Sequence, residues 1–217
     1  MKILMATVTT KEILTYAAYS IAINSQYAIK WGYDFLVYTN TDKERAPTWG
    51  KVKLVKEYLE KYDYIFVLDA DAYIQNQNIP ITRFITESGA SLFICENGPN
   101  GGELLNLGSF IVKDTSAIHY ILDKWYMLGT EMNKLWEPFW EQSVLNYLYE
   151  NDLEIAQQVK VFPYNIFNSW WLDYMNPNPN QFVIHIMSTT SDIKKEFISK
   201  YYLENRESYF TNISLHE

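Results

Sequence analysis

Two aspartates follow an apolar segment of the chain and are separated by a single residue. Asp69 and Asp71 come directly after Tyr64–Leu68, a continuously apolar run that predicts a buried strand. Residues two apart in an extended chain point to the same side, so both carboxylates can face one cation. A hard cation such as Mn²⁺ or Mg²⁺ takes one or two protein carboxylates and completes its shell with water and phosphate oxygens. The spacing therefore predicts a divalent-metal site that also holds a diphosphate.

A histidine in a later apolar segment is a candidate third ligand. His185 lies within Phe182–Met187, where an imidazole needs a hydrogen-bond partner or a metal. If the sheet brings His185 near Asp71, two carboxylates and one imidazole form a mixed oxygen and nitrogen shell that suits manganese. The alternative is a hydrogen-bonded core histidine without a metal.

Strands and helices alternate along the sequence. The apolar segments predicted as strands are 2–9, 33–39, 64–68, 91–96, 109–113, 159–162 and 182–187. The segments with apolar residues at helical spacing are 12–30, 49–61, 114–128 and 141–149. This alternation predicts an α/β fold with a mostly parallel central sheet flanked by helices. In such sheets ligands bind beyond the carboxyl ends of the strands, which is where Asp69 and Asp71 lie.

Length and charge limit the domain count and the partners. A chain of 217 residues with 48% hydrophobic residues can bury a substantial core, and we expect one domain over 1–217, with 190–217 as a C-terminal extension. The net charge of -8 argues against nucleic acid or an anionic membrane as a partner, because a phosphate-binding surface needs a basic excess.

The same sequence features bear on the compartment. Cys95 is the only cysteine, so no intrachain disulfide can form. No apolar run approaches the ~18 residues of a membrane span, and no signal segment precedes the first strand. We therefore expect a cytoplasmic protein, with the alternative that the chain is one domain of a longer protein.

Five short motifs occur in a fixed order. They are Trp49-x-Lys51, Val67–Ala72, Asn106-x-Gly108-Ser109-Phe110, Trp140–Ser143 and Phe182–His185. In this order they resemble the motifs of glycosyltransferase family 34, which contains plant xyloglucan xylosyltransferases and yeast galactosyl- and mannosyltransferases. The resemblance spans roughly residues 25–190 and is more specific than any one motif. It implies a GT-A type nucleotide-diphospho-sugar transferase fold and a retaining, metal-dependent enzyme.

The resemblance implies roles around the metal and the reacting carbon. Asp69, Ala70 and Asp71 would hold the metal and the diphosphate, with His185 as the third protein ligand. The catalytic pair beside the anomeric carbon would be Glu141 and Gln142, although the family usually has aspartate at the position of Glu141.

Further positions are expected on the donor side. The resemblance places Trp49 and Lys51 near the nucleotide and its phosphates, and Asn106 and Gly108 beside the donor sugar. Thr7, at the end of the first predicted strand, is a further expected donor contact.

One departure from the family pattern concerns the leaving group. The family tends to have a lysine a few residues after the strand histidine, whereas His185 is followed by Ile186–Thr190. We expect Lys194 or Lys195 to reach back, and otherwise hydroxyl donors such as Ser188 to stabilise the leaving diphosphate.

Tryptophans are candidates for the acceptor side. Aromatic faces suit the apolar faces of sugars, so Trp136, Trp140, Trp170 and Trp171 are candidates for an acceptor platform. The alternative is core packing, although adjacent Trp170 and Trp171 cannot both point into one core if the segment is extended.

We therefore expect a glycosyltransferase that moves a hexose or pentose from a nucleotide-diphosphate sugar, with UDP-sugars favoured, to a glycan or other hydroxyl acceptor. Retention implies same-face attack assisted by the diphosphate, or a double displacement, and we favour the former. Two alternatives stay open. One is a non-catalytic module that binds sugars or sugar nucleotides. The other is an aspartate-nucleophile phosphohydrolase, whose motif normally follows the first strand and continues as Gly-Thr, unlike Ala72-Tyr73 here.

Overall fold

The computed structural model of the chain describes residues 1–41, 44–85, 89–98, 102–131, 140–170 and 181–210. Its strands are β1 (Ile3–Val8), β2 (Asp34–Tyr38), β3 (Tyr64–Leu68), β4 (Ala72–Ile74), β5 (Leu92–Glu96), β6 (Leu105–Lys113), β7 (Val159–Phe162), β8 (Ser169–Trp170) and β9 (Val183–His185). Its α-helices are α1 (Leu14–Trp31), α2 (Gly50–Tyr58), α3 (Ser116–Glu131), α4 (Glu141–Asn151), α5 (Leu153–Gln157) and α6 (Ser191–Phe210).

Within the described ranges, six strands form the main sheet, in the order β2-β1-β3-β6-β5-β7. β1 runs parallel to both β2 and β3, and β7 runs parallel to β5. β6 pairs antiparallel with β3 and β5 and is the one strand of these six that runs against the others. The predicted α/β fold with a mostly parallel central sheet is therefore confirmed. The register places Thr7 beside Leu68, so β1 and β3 end at the same edge.

The two faces of the main sheet bury different sets of helices. Alternate residues of β1 point to opposite faces: Leu4 and Ala6 pack in the cluster that contains α2, α3 and α4, whereas Ile3 and Met5 pack in the cluster that contains Tyr27 of α1. Burying a side chain of the size of Ile3, Leu4 or Met5 contributes about 1.5–3 kcal/mol. The edge where Asp69 follows β3 is thus supported by a core on both sides.

A second, smaller sheet lies on the α1 side of the molecule. Its described strands have the order β4-β9-β8, in which β4 and β9 are antiparallel and β8 and β9 are parallel. Ala72 pairs with His185, so the residue after Asp71 lies directly opposite the candidate histidine ligand. Sequence patterning did not predict β4 or β8, because segments of three and two residues are too short to show a period.

Most of the segment expected to be a C-terminal extension forms α6. This helix packs along α1, where Ile198 and Tyr201 join Tyr16, Ala17 and Ile23 in one buried cluster. None of the helices in the described part of the chain combines the length and apolar character that a membrane span requires.

Candidate active site

The Asp69–Asp71 segment is held at the edge of the main sheet by backbone contacts. The Asp69 amide donates to the Gly108 carbonyl at 2.8 Å, which extends the β3–β6 pairing by one residue beyond Leu68. The Ala72 amide then donates to the Asp69 carbonyl at 3.0 Å and closes a turn. The two carboxylates therefore lie on a turn fixed at its start by β6.

Two polar side chains of α1 form hydrogen bonds with the backbone of the same turn. Ser20 is fully buried, and its hydroxyl donates to the Ala70 carbonyl. Asn24, also fully buried, donates to the Ala72 carbonyl at 3.0 Å and accepts from the Ile74 amide at 2.9 Å. Both side chains satisfy buried backbone groups that would otherwise cost about 1–3 kcal/mol each. Sequence reasoning missed this role, because nothing in the helical pattern of α1 distinguishes these two positions.

The structure brings Asp69, Asp71 and His185 together. His185 Nε2 lies 3.2 Å from Asp71 Oδ1 and 3.7 Å from Asp69 Oδ2. One ligand atom from each residue can be chosen so that all three lie within 4.8 Å of one another. Two carboxylates and one imidazole nitrogen are ligands that divalent cations accept. The group could therefore hold a divalent metal ion.

Gly108 is a glycine for steric reasons. A Cβ atom there would lie 2.0 Å from His185 Nδ1 and 2.8 Å from Asn168 Oδ1, well inside van der Waals contact. The His185 ring therefore packs directly on the bare backbone of β6. The expected proximity of Gly108 to the donor sugar stays a prediction, while its close approach to His185 is what the structure shows.

Lys194 contacts the second aspartate. Its ammonium group lies 2.6 Å from Asp71 Oδ2, and it projects from the first turn of α6. Burial would raise the pKa of the Asp71 carboxyl, but His185 and Lys194 more than offset this and hold that pKa well below its usual range. Of the two lysines considered from the sequence, Lys194 reaches the site, and Lys195 is exposed.

Lys51 contacts the first aspartate from inside the fold. Its ammonium group lies 2.8 Å from Asp69 Oδ1 and 2.8 Å from Glu141 Oε1, and donates to the Leu107 carbonyl at 3.3 Å. Burial alone would lower the pKa of this lysine, but the two carboxylates more than offset it and hold that pKa above its usual range. Since an ammonium group has three donors, all three of its N–H groups have acceptors here.

Glu141 and Gln142 begin α4 and face β6. Glu141 is 2% exposed, and its Oε2 has no hydrogen-bond partner among the described residues. Gln142 accepts from the Leu107 amide at 3.0 Å and donates to Glu103 Oε2 at 2.7 Å. These two contacts hold the Gln142 amide in one orientation. Sequence reasoning missed Glu103, which lies in a segment without regular periodicity.

The residues that precede Glu141 and follow His185 have unusual backbone conformations. Trp140 and Ser188 have positive φ values of 46° and 55°, which residues other than glycine rarely adopt. Such conformations cost about 1–3 kcal/mol each and cluster at functional sites. Ser188 is exposed beside the site, and its expected contact with the leaving group stays a prediction.

The side chains of two expected donor contacts, Thr7 and Trp49, are buried. Thr7 is fully buried within β1. Trp49 is also fully buried, with its ring against α3, where a Cβ on Gly129 would lie 2.1 Å from Trp49 Cη2. Neither side chain lines the pocket beside Asp69, because β1 and the start of α2 turn them toward the core. A role in donor binding stays a prediction for both.

The remaining expected residues lie partly outside the described structure. Asn106 is 4% exposed, accepts from the Gly108 amide at 2.8 Å and donates to Asn97 at 3.0 Å, so it shapes the loop beside the site. Trp140 is half-buried. Trp136 and Trp171 lie outside the described residues, and of Trp170 only the backbone is described, opposite His185 in the small sheet. The acceptor platform is therefore untested.

A pocket of about 220 Å³ opens beside the two aspartates. Its walls come from the end of β1, the start of α1, the turn before α2, Lys51 of α2, the Asp69–Asp71 segment and Lys194. Thr9, Thr10 and Thr48 add hydroxyl groups, and Tyr16 adds an aromatic ring. The pocket thus lies at the carboxyl ends of the parallel strands, where the sequence predicted a ligand.

Three solved structures resemble this fold. A glycosyltransferase involved in the glycosylation of the major capsid of PBCV-1 has a TM-score of 0.77 at 20% identity, over 92% of this chain and 100% of that one. The glycosyltransferase GlyE of Streptococcus pneumoniae TIGR4 has a TM-score of 0.64 at 13% identity, over 96% of this chain and 64% of that one. The galactosyltransferase LgtC, in complex with donor and acceptor sugar analogs, has a TM-score of 0.62 at 13% identity, over 99% of this chain and 98% of that one.

These likenesses define the class of protein. At such identities they show the fold alone, and that fold is the GT-A glycosyltransferase fold predicted from the sequence. The sequence itself matches the galactosyl transferase GMA12/MNN10 family over residues 3–90 and 83–196. The chain therefore belongs to the galactosyl transferase GMA12/MNN10 family and is a glycosyltransferase, which confirms the resemblance described from the five motifs. No curated protein sequence matches the chain.

Proposed function

We propose that this protein is a metal-dependent, retaining glycosyltransferase that moves a hexose or pentose from a nucleotide-diphosphate sugar, with UDP-sugars favoured, to a hydroxyl group of a glycan or other acceptor. The observation that carries the proposal is the convergence of Asp69, Asp71 and His185 at the mouth of a pocket lined by hydroxyl groups and Lys194. A transferase that uses nucleotide-diphosphate sugars has to bind the diphosphate of its donor, and a metal held by these three residues would bind it.

The three side chains fit a divalent metal, Mn²⁺ or Mg²⁺. Asp71 and His185 are mostly buried and face one another, while Asp69 is 28% exposed toward the pocket. His185 favours Mn²⁺ over Mg²⁺, because imidazole is a softer ligand than Mg²⁺ usually takes. When bound, the metal supplies positive charge that stabilises the negative charge growing on the departing diphosphate.

Lys194 is the residue that takes the place of the lysine missing directly after His185. Among the described residues its ammonium group has one carboxylate partner, Asp71, and it lines the pocket. A cation at this point can donate hydrogen bonds to a diphosphate and stabilise its charge in the transition state. The missing lysine after His185 left a non-catalytic binding module open, and the position of Lys194 supports the transferase instead.

Glu141 is joined to Asp69 through Lys51, whereas Lys194 contacts Asp71. Glu141 Oε2 is a buried acceptor without a partner among the described residues, and a donor-sugar hydroxyl would satisfy it. In same-face transfer the bond from the anomeric carbon to the diphosphate breaks, the acceptor oxygen bonds to that carbon on the same face, and the acceptor proton passes to the diphosphate. The role of the first two side chains of α4 is to orient the sugar and stabilise its positive charge.

Acceptor-independent hydrolysis of sugar nucleotides tests the proposal. UDP- and GDP-linked xylose, galactose and mannose are incubated with and without Mn²⁺, and released sugar is followed by proton NMR. We expect Mn²⁺-stimulated release of a sugar that initially keeps the donor's anomeric configuration, and at least about a 100-fold slower release by Asp71→Asn. Release of the inverted anomer would refute retention, and release indifferent to Mn²⁺ and to Asp71→Asn would refute the metal site.

A further inference from the structure

The inner nitrogen of His185 contacts an asparagine that no sequence motif marks. Asn168 lies directly before β8, is 2% exposed, and has its Oδ1 3.0 Å from His185 Nδ1. β8 pairs with β9 so that Trp170 lies opposite His185. The separation between Asn168 and the histidine is therefore set by strand pairing in the small sheet.

This contact favours a proton on one nitrogen of the His185 ring. An amide oxygen only accepts hydrogen bonds, so the contact forms a hydrogen bond when Nδ1 carries a proton. The other nitrogen, Nε2, then lies on the far side of the ring, 3.2 Å from Asp71 Oδ1 and 3.7 Å from Asp69 Oδ2. When Nδ1 points to Asn168, Nε2 therefore points to the two aspartates.

The ring and the amide are both fixed against β6. Gly108 leaves room for them, since a Cβ there would lie 2.0 Å from His185 Nδ1 and 2.8 Å from Asn168 Oδ1. The hydroxyl of Ser109 donates to the Phe167 carbonyl, which ties β6 to the residue before Asn168. A half-turn of the ring about its Cβ–Cγ bond would place a C–H group where Nδ1 lies, separate Nδ1 from the amide oxygen and leave a buried acceptor unpaired.

We propose that Asn168 is a positioning residue that keeps a proton on Nδ1 of His185 and so presents Nε2 to Asp69 and Asp71 as the third metal ligand. The inference rests on the metal dependence proposed above. A metal-binding histidine commonly donates its other N–H to an oxygen acceptor, and loss of that acceptor typically weakens metal binding by about 10- to 100-fold.

Two substitutions at one position separate positioning from packing. Asn168→Leu keeps a similar volume but removes the acceptor, and Asn168→Asp keeps an oxygen acceptor in place. Long-range proton–nitrogen NMR on metal-free protein labelled at histidine nitrogens reports which ring nitrogen is protonated. The chain has three histidines, so a His185→Gln sample identifies the relevant signals. We expect protonated Nδ1 in the wild type and in Asn168→Asp, and loss of that signature in Asn168→Leu.

Metal affinity provides the second readout. In titrations followed by electron paramagnetic resonance of free Mn²⁺, we expect Asn168→Leu to bind Mn²⁺ about 10- to 100-fold more weakly than the wild type, and Asn168→Asp to bind within a few-fold of it. Asn168→Ala replaces Asn168→Leu if the leucine variant does not fold.

Several results would overturn the inference. A folded Asn168→Leu protein with Nδ1 protonated and unchanged Mn²⁺ affinity would show that Asn168 does not position the ring. An Asn168→Asp protein as weak as Asn168→Leu would assign the effect to packing. A wild type that binds no Mn²⁺ would instead refute the proposed metal dependence, and the NMR spectra, recorded without metal, would still decide the Asn168 contact.

Discussion

The two aspartates of one motif each contact a lysine, and the two lysines differ in burial and in their acceptors. Lys51 is the more buried, with a side chain 4% exposed, and has three acceptors, Asp69, Glu141 and the Leu107 carbonyl. Lys194 has a side chain 16% exposed and, among the described residues, one carboxylate partner, Asp71. Both lysines line the pocket.

The difference indicates two separate tasks. Lys51 has an acceptor for each of its three N–H groups, so it orders Asp69 and Glu141 relative to each other. The sequence-based expectation that Lys51 lies near the nucleotide and its phosphates stays a prediction, and Lys51 also lines the pocket beside Asp69. Lys194 can exchange Asp71 for another anion, so it is the cation available to a diphosphate. The site thus has one fixed cation and one exchangeable cation.

The largest effect should follow removal of the fixed cation. Lys51→Met leaves the buried Glu141 carboxylate without its partner, and removing one member of a buried ion pair costs about 3–5 kcal/mol. Urea unfolding measures this free energy. Lys53→Met, two residues further along α2 and partly exposed, is the matched control and should change stability by less than about 0.5 kcal/mol.

A double substitution sharpens the same prediction. Adding Glu141→Gln to Lys51→Met removes the unpaired charge, so the double variant should recover part of the lost stability. A Lys51→Met protein as stable as the wild type would contradict the assignment of Lys51 as a structural cation. So would a double variant whose loss of unfolding free energy exceeds the sum of the losses in the two single variants.

Removal of the exchangeable cation should spare the fold and impair turnover. Lys194→Met should slow sugar transfer by about 10- to 100-fold, because the leaving diphosphate loses one charged donor. Its stability should fall by about 1 kcal/mol at most. In the absence of nucleotide, Mn²⁺ should bind Lys194→Met at least as tightly as the wild type, since the lysine no longer competes for Asp71.

Lys195→Met is the control for this comparison. Lys195 is the exposed neighbour of Lys194 on α6, and its loss should alter neither turnover nor Mn²⁺ affinity. Steady-state kinetics and Mn²⁺ titration of the two variants side by side decide the point. Equal effects of both substitutions would indicate a general loss of positive charge rather than a specific contact.

The main sheet and the position of the aspartate pair could be predicted from the sequence because both have strong local signals. The apolar run before Asp69 marks a buried strand, and polar residues at its end mark a ligand edge. His185 required a further step, namely a sheet that brings it to Asp71. The five ordered motifs supported that step through their resemblance to a family, whereas the apolar pattern around His185 also fits a core histidine.

Other features depend on contacts between distant segments. Trp49 was expected beside the donor, and its burial depends on Gly129, 80 positions later, leaving space on α3. Asn168 has no local signal, because its role arises from the pairing of two very short strands. Lys194 was one of two candidates from the sequence, and only the packing of α6 on α1 distinguishes it from Lys195.

Calorimetric titration with nucleotide diphosphates tests the central claim most directly. UDP and GDP are titrated into the wild type and Asp71→Ala, each with and without Mn²⁺. The account predicts that the wild type binds a nucleotide only when Mn²⁺ is present, with higher affinity for UDP than for GDP. It also predicts that the Asp71→Ala protein stays folded but does not bind the nucleotide. Failure of the wild type to bind either nucleotide with any divalent metal would contradict the claim that Asp69, Asp71 and His185 form a donor site.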